Sequence, residues 1–136
     1  MQHLRELLEE KGIQPSAQRL AVAAYVLTTD AHPSADQVWR EVAGRVPMIS
    51  RATVYNTLNL FVEKGLLREL HVDRDHVVFD PKTDTHHHFI DEETGRIYDV
   101  PWEKVQVCNL QSLRRTYDIE DYQVVMRGRK RRERKH

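Results

Sequence analysis

Residues 50–80 read SRATVYNTLNLFVEKGLLRELHVDRDHVVFD, and the period of the apolar positions changes part-way along. From Ser50 to Gly65 the spacing is helical, with Val54, Leu58, Phe61 and Val62 on one face. Ser50 is a good helix cap, and Gly65 is the residue type that ends a helix in the left-handed conformation. Beyond it, LLRELHV and HVVFD are short β-type runs around Asp73-Arg74-Asp75, which predicts a hairpin.

Upstream the signals are helical too. Leu4, Leu7 and Leu8 recur at helical spacing, and Gly12 stops that helix. Pro15-Ser16 open a second helix containing Leu20, Ala23, Ala24 and Leu27. Pro33-Ser34 open a third, with Ser34 as N-cap and Val38, Trp39 and Val42 as its inner stripe. Helices followed by a hairpin give the order of a winged helix-turn-helix. Residues 1–81 are therefore expected to form a DNA-binding domain.

Downstream, residues 82–85 are expected to be a hinge. HHHFI (86–90) and RIYDV (96–100) predict two strands joined at Glu92-Glu93-Thr94-Gly95. A helix is expected from about Pro101 to Thr116, with Val105, Leu110 and Leu113 turned inward. YQVVMRG (122–128) predicts a last strand, followed by a basic tail. The fold class is α+β: an N-terminal winged helix-turn-helix plus a small C-terminal α/β domain over 86–136.

Composition narrows the function classes. No apolar run in the 136 residues approaches the ~20 needed to cross a bilayer, and the charged start MQHLRELLEE has no signal-peptide core. No membrane partner is expected, and the expected compartment is the cytoplasm. Cys108 is the single cysteine, which excludes an internal disulfide and any multi-cysteine zinc site. The net charge of zero hides an asymmetry: residues 127–136 hold seven Lys/Arg and one Glu, leaving 14 basic and 20 acidic groups elsewhere. The tail reads first as a solvated terminus, and second as a non-specific attractor of DNA phosphate.

Opposite its apolar stripe, the 50–65 helix carries Arg51, Thr53, Tyr55, Asn56 and Asn59. A Tyr55 ring suits a thymine methyl, and Thr53 and Asn56 suit phosphate or base edges. Arg19, at the start of the second helix, suits a phosphate. A plain solvated helix face is the competing reading, and the hairpin after the helix favours DNA.

In the run His86-His87-His88, strand alternation puts His86 and His88 on one face and His87 on the other. Asp99 lies on the neighbouring predicted strand, Asp80 ends the hairpin, and His32 stands at the mouth of the third helix. Three imidazoles and two carboxylates form a mixed nitrogen and oxygen donor set. It suits one divalent cation, Fe²⁺, Mn²⁺ or Zn²⁺, with one position open if the metal is six-coordinate. An open position on ferrous iron invites peroxide. His3, His71, His76 and His136 have no such company and read as surface residues.

The stretches GIQPSAQRLAV, AHPSADQVW, PMISRATVYNTLNLFVEKGLL, VVFD, THHHFIDEETGRIYDV and YQVVMRGRKR together resemble the ferric uptake regulator (Fur) family of bacterial metal-dependent transcription factors. The resemblance implies a repressor and not an enzyme. It also implies a homodimer on palindromic operator DNA, with the C-terminal domain dimerising. It makes His32, Asp80, His86, His88 and Asp99 the regulatory metal ligands. Aspartate at 80 and 99, where Fur proper usually has glutamate, resembles the peroxide-sensing branch (PerR), as does Asn56 after Tyr55. In that branch a ligand histidine is oxidised, and the matching positions are His32 and His86.

Three departures stand out. The family's structural zinc uses two CxxC pairs, the first of which would fall at Asp91 and Thr94, so no structural zinc is expected. Thr85 and Gln106 stand where a further metal site would need ligands. Gln14 replaces a basic minor-groove residue. The triple histidine and the missing CxxC pairs also resemble Irr, an iron- and haem-responsive branch, which would make His87 a haem ligand rather than a free surface group. Peroxide, iron and haem all remain open as the signal. A metal hydrolase or oxygenase would leave the 50–65 helix without a use, and a metal store would bind metal with no effect on DNA affinity.

Overall fold

The computed structural model describes residues 2–132, and the chain divides between Thr83 and Asp84 into two compact units. In the first unit the helical periods become α1 (Gln2–Glu10), α2 (Ala17–Val26), α3 (Ala35–Ala43) and α4 (Arg51–Glu63), followed by β1 (Arg68–Asp73) and β2 (His76–Asp80). The starts of α2, α3 and α4 are set by serine caps: Ser16, Ser34 and Ser50 accept from the N–H groups of Arg19, Gln37 and Thr53. At Ser34 the cap is reciprocal, because the Gln37 side chain accepts from the Ser34 N–H at 2.8 Å.

Helix α4 ends at Gly65, where φ is +81°. There Leu66 N–H reaches the Phe61 carbonyl at 2.8 Å and Gly65 N–H the Val62 carbonyl at 3.1 Å, closing the last turn as the chain leaves for the hairpin. The core of this unit joins one face of every helix: Leu8, Leu20, Val26, Val38, Val42, Val54, Leu58 and Phe61 are buried together with Leu66, Leu67 and Phe79. β1 and β2 pair antiparallel around residues 74–75 as the sequence predicts.

The chain entering α3 is tied to β2. Phe79 N–H donates to the Pro33 carbonyl at 2.9 Å, and Ser34 bridges Val78, so the residues just before α3 run alongside the end of the hairpin.

The second unit holds β3 (His87–Asp91), β4 (Ile97–Val100), α5 (Leu110–Arg114) and β5 (Val125–Gly128). Its sheet has the order β4-β3-β5, with β3 antiparallel to β4 and parallel to β5. Asp91 closes the β3–β4 turn. Its Oδ1 accepts from the Glu93 N–H at 2.9 Å and the Thr94 N–H at 3.4 Å, and Thr94 Oγ1 accepts from the Arg96 N–H at 3.1 Å.

The helix expected over 101–116 does not form as one piece. A single 3-10 turn, Trp102–Lys104, is followed by extended chain with Val105 at φ −127°, ψ 127°. The five-residue α5 then starts after Asn109, which has a left-handed φ of 68°. Leu113, expected inside, is 47% exposed. Val105 and Val107 are half-buried while Gln106 and Cys108 are exposed, a period of two rather than 3.6. β-branched residues at that alternation favour extended chain.

The last strand spans Val125–Gly128, shorter than the predicted 122–128, and residues 133–136 of the basic tail, with His136, lie outside the described residues. No helix among the described residues is long and apolar enough to cross a membrane.

Candidate metal centre and DNA-reading surface

In the first unit, the Pro33–Phe79 link brings His32 beside Asp80. His32 Nε2 lies 3.3 Å from Asp80 Oδ2, and both side chains are 4% exposed. The second Asp80 oxygen accepts from the Lys82 N–H at 2.9 Å, which fixes the carboxylate plane. His32 has φ +50°, a left-handed conformation that a non-glycine residue holds only when its surroundings impose it.

In the second unit, His86 and His88 face one oxygen. Asp99 Oδ1 lies 3.1 Å from His86 Nε2 and 3.5 Å from His88 Nε2. His88 and Asp99 are register partners across β3 and β4, and the two imidazole centroids are 4.5 Å apart. The opposite ring nitrogens are held as well: His86 Nδ1 donates to the Asp84 carbonyl at 2.7 Å, and His88 Nδ1 pairs with Gln123 Oε1 at 3.0 Å.

This arrangement suits a cation on chemical grounds. A ring whose Nδ1 donates to an oxygen presents a lone pair at Nε2 when neutral, the form that binds a metal. Here those lone pairs are aimed at a carboxylate, which is itself an acceptor. Two acceptors at this range need a proton or a cation between them. Between His32 Nε2 and Asp80 Oδ2, at 3.3 Å, either an Nε2 proton or a cation is accommodated. The donors are nitrogen and oxygen with no thiolate, which fits Fe²⁺, Mn²⁺ or Zn²⁺.

His87 takes a different role from its neighbours. It is fully buried, so it is not a free surface group. Its ring stacks on Trp102, centroids 4.6 Å apart at 14°, and its Nδ1 accepts from the Val124 N–H at 2.9 Å. His3, His71 and His76 are exposed.

The five DNA-reading candidates fall into two groups. Arg19, Thr53 and Asn56 line an open groove of about 450 Å³ between the start of α2 and α4. Arg19 Nη1 donates to the Gln14 carbonyl at 2.8 Å, and Thr53 Oγ1 shares a 2.9 Å hydrogen bond with Ser50 Oγ. Arg51 and Tyr55 are instead drawn to Asp36 on α3: Tyr55 OH donates to Asp36 Oδ1 at 3.1 Å and Arg51 Nη1 at 3.2 Å. Partial burial of the phenol, and then its bond to Asp36, push the Tyr55 pKa up from 10.0 against the opposing pull of Arg51.

A model of the ferric uptake regulator family matches residues 10–127. The chain belongs to that family. Among relatives of this Fur-family chain, the peroxide operon regulator of Bacillus subtilis (strain 168) is 40% identical over 94 residues, 69% of this chain. The match spans 65% of that relative's own length. The peroxide-responsive repressor PerR of Staphylococcus aureus (strain Mu50) is 30% identical over 122 residues, 89% of this chain and 82% of the relative. The Campylobacter jejuni peroxide stress regulator shares the fold, with a TM-score of 0.66 at 24% identity over 97% of this chain and 96% of that one.

Three residues beside the candidate sites went unread in the sequence of this Fur-family chain. Gln123 lies 35 positions from His88 and meets it through the parallel pairing of β3 with β5. Trp102 covers His87, and Asp36 holds Tyr55. Of the three, only Asp36 carries a sequence signal, an acidic residue in the first turn of a capped helix, and that pattern is explained by the helix dipole alone.

Proposed function

We propose that the chain is a metal-dependent transcriptional repressor that binds palindromic operator DNA as a homodimer and responds to peroxide by oxidation of a ligand histidine. The observation that carries this reading is a histidine–carboxylate half-site in each unit, His32 with Asp80 in one and His86 and His88 with Asp99 in the other. Neither half alone offers a full coordination shell. One Fe²⁺ or Mn²⁺ per subunit, with Zn²⁺ also acceptable, would be held by His32, Asp80, His86, His88 and Asp99, and would restrain residues 82–85, the proposed hinge, to one state. The winged-helix unit is then presented in one orientation, and in a dimer the two copies of α4 stand roughly one DNA turn, about 34 Å, apart. Metal acts by favouring one of two states rather than by touching DNA.

Dimerisation is supported by the small apolar core of the second unit, where Ile90 and Ile97 are the buried aliphatic residues among those described. The outer edges of β4 and β5 are available for further strand pairing. The Asp91 turn supports the reading without structural zinc, because hydrogen bonds close it.

Ferrous iron, when bound, supplies the one-electron chemistry that makes peroxide reactive toward an adjacent imidazole. His32 or His86 would be the residue to take one peroxide oxygen on a ring carbon, replacing its hydrogen, with the other oxygen leaving as water. The altered ring is a poorer ligand, the hinge relaxes, and DNA is released. The names of the B. subtilis and S. aureus relatives point the same way. The haem alternative asks His87 to carry iron, and in this structure that ring is packed on Trp102.

The test is to load the protein anaerobically with Fe²⁺ or Mn²⁺, add peroxide, and map mass changes by peptide. Gain of one oxygen on His32 or His86 with iron but not manganese, together with loss of DNA binding, is expected. Unmodified histidines in a protein that still releases DNA would end the peroxide reading. A haem absorption band lost in His87→Ala would move the assignment to the haem branch.

A further inference from the structure

Asp36 is a carboxylate on the face of the first unit that carries Arg51 and Tyr55, the face proposed to meet DNA. A bare negative charge there opposes phosphate binding. Its surroundings show how it is held. Asp36 lies in the first turn of α3, just after the reciprocal Ser34–Gln37 cap, so its backbone is fixed and the helix N-terminus favours its charge. A single oxygen, Oδ1, accepts from both Arg51 and Tyr55, residues 15 and 19 positions away on α4. The Arg51 guanidinium also lies 4.4 Å from the centroid of the Trp39 ring, and Trp39 is anchored by its Nε1–H to the Ile49 carbonyl at 3.2 Å.

The consequence for Arg51 is that its charge is partly neutralised and its side chain already engaged. The consequence for Tyr55 is larger. Its hydroxyl is committed to Asp36, while 42% of the residue stays exposed. A phenol so held offers the edge and face of its ring to a neighbouring base and withholds its polar end.

We propose that Asp36 is a positioning residue for sequence reading: it holds the Tyr55 hydroxyl and the Arg51 guanidinium so that Tyr55 meets its base pair through an apolar ring contact. This rests on the proposed DNA-binding function. A purely structural Asp36, serving only the start of α3, would leave base preference untouched when replaced.

The experiment is selection from a random-sequence duplex library by the full chain loaded with Mn²⁺, using wild type, Asp36→Asn, Tyr55→Phe and the double variant. Asparagine keeps the size and suits the first helical turn but removes the charge that strengthens both bonds to Oδ1, and Tyr55→Phe removes the Tyr55 bond altogether with the ring intact. Each single variant is expected to enrich the wild-type motif with the preference at one base pair per half-site weakened roughly tenfold, the scale of a lost hydrogen bond to a charged group. The double variant is expected to lose less than the sum of the two single losses, because both substitutions act on the same Tyr55–Asp36 hold. In a tyrosine absorbance titration the raised Tyr55 component should move down in Asp36→Asn, which keeps the burial but loses the Asp36 charge, and should be missing from Tyr55→Phe.

If wild type enriches a motif and the Asp36→Asn motif superposes on it at every position, the positioning role is refuted while the DNA reading stands. Additive losses in the double variant also refute it. If wild type enriches nothing, the DNA reading fails and this inference fails with it.

Discussion

His88 and Asp99 face each other across the β3–β4 ladder, and the Asp99 oxygen 3.5 Å from His88 Nε2 is the same one that lies 3.1 Å from His86 Nε2. One carboxylate therefore organises two imidazoles that sequence alternation had already placed on one side of a strand. Replacing it with a neutral amide removes a negative charge and the anionic ligand proposed for the metal at once. Asp99→Asn is expected to weaken Mn²⁺ binding by at least about tenfold and to make DNA binding insensitive to metal. Isothermal titration with Mn²⁺ and gel shifts with and without a chelator measure both. An Asp99→Asn protein with wild-type metal affinity would remove this carboxylate from the site.

Gln123 reaches the same site from the chain leading into β5, holding His88 Nδ1 at 3.0 Å from an exposed position. Gln123→Ala leaves the proposed ligands in place but frees the His88 imidazole to turn. Metal affinity should fall roughly tenfold with little change in melting temperature. Equal losses in both would mean that the residue supports the sheet rather than the histidine.

Gly65 carries φ +81°, and a Cβ built there meets nothing within 4 Å. The cost of Gly65→Ala is then conformational, about 1–2 kcal/mol for forcing an L-residue into the left-handed region. The expected result is a melting temperature lower by a few degrees, on the order of 3–6 °C for a chain of this size. No change would show that the turn adapts by abandoning the left-handed cap.

Tyr55 provides a pH test. Folding raises its pKa above the unfolded value of 10.0, through burial first and then the Asp36 bond. The neutral phenol is thus the form that the fold favours. Its contribution is complete below pH 10.0 and fades as pH rises through the higher folded value. The stability difference between wild type and Tyr55→Phe, measured by urea denaturation, should be constant from pH 7 to about 9.5 and shift against wild type above that. A difference that is flat through about pH 11 would show that the phenol is not held.

Asp91 is buried and accepts two backbone N–H groups at the β3–β4 turn. Asp91→Ala leaves both donors without that acceptor and should cost about 1–3 kcal/mol. Added Zn²⁺ should not restore it, and restoration would point to a metal at this turn after all.

The sequence by itself determined the four N-terminal helices, the serines that open the last three of them, and the hairpin. It also separated the sides of the histidine run, with His86 and His88 together and His87 apart. These are properties of contiguous residues: a 3.6-residue or two-residue period and a capping oxygen act within one or two turns of chain. The same local logic misled at Pro101–Thr116. Leu110 and Leu113 suggested a helical stripe, but the Val105–Val107 alternation and the left-handed Asn109 break it into a turn, an extended run and a short helix.

Only the tertiary structure decided the partners. Gln123 meets His88 because β5 runs parallel to β3, a pairing that no short-range pattern encodes. His87 became a packing group because Trp102 covers it, and Tyr55 was turned toward Asp36 because α3 lies beside the polar face of α4. Residues 15 to 37 positions apart are brought together by chain closure and core packing. Those terms depend on the whole unit, so a side chain's type fixes what it can bond, and the fold chooses which bond it makes.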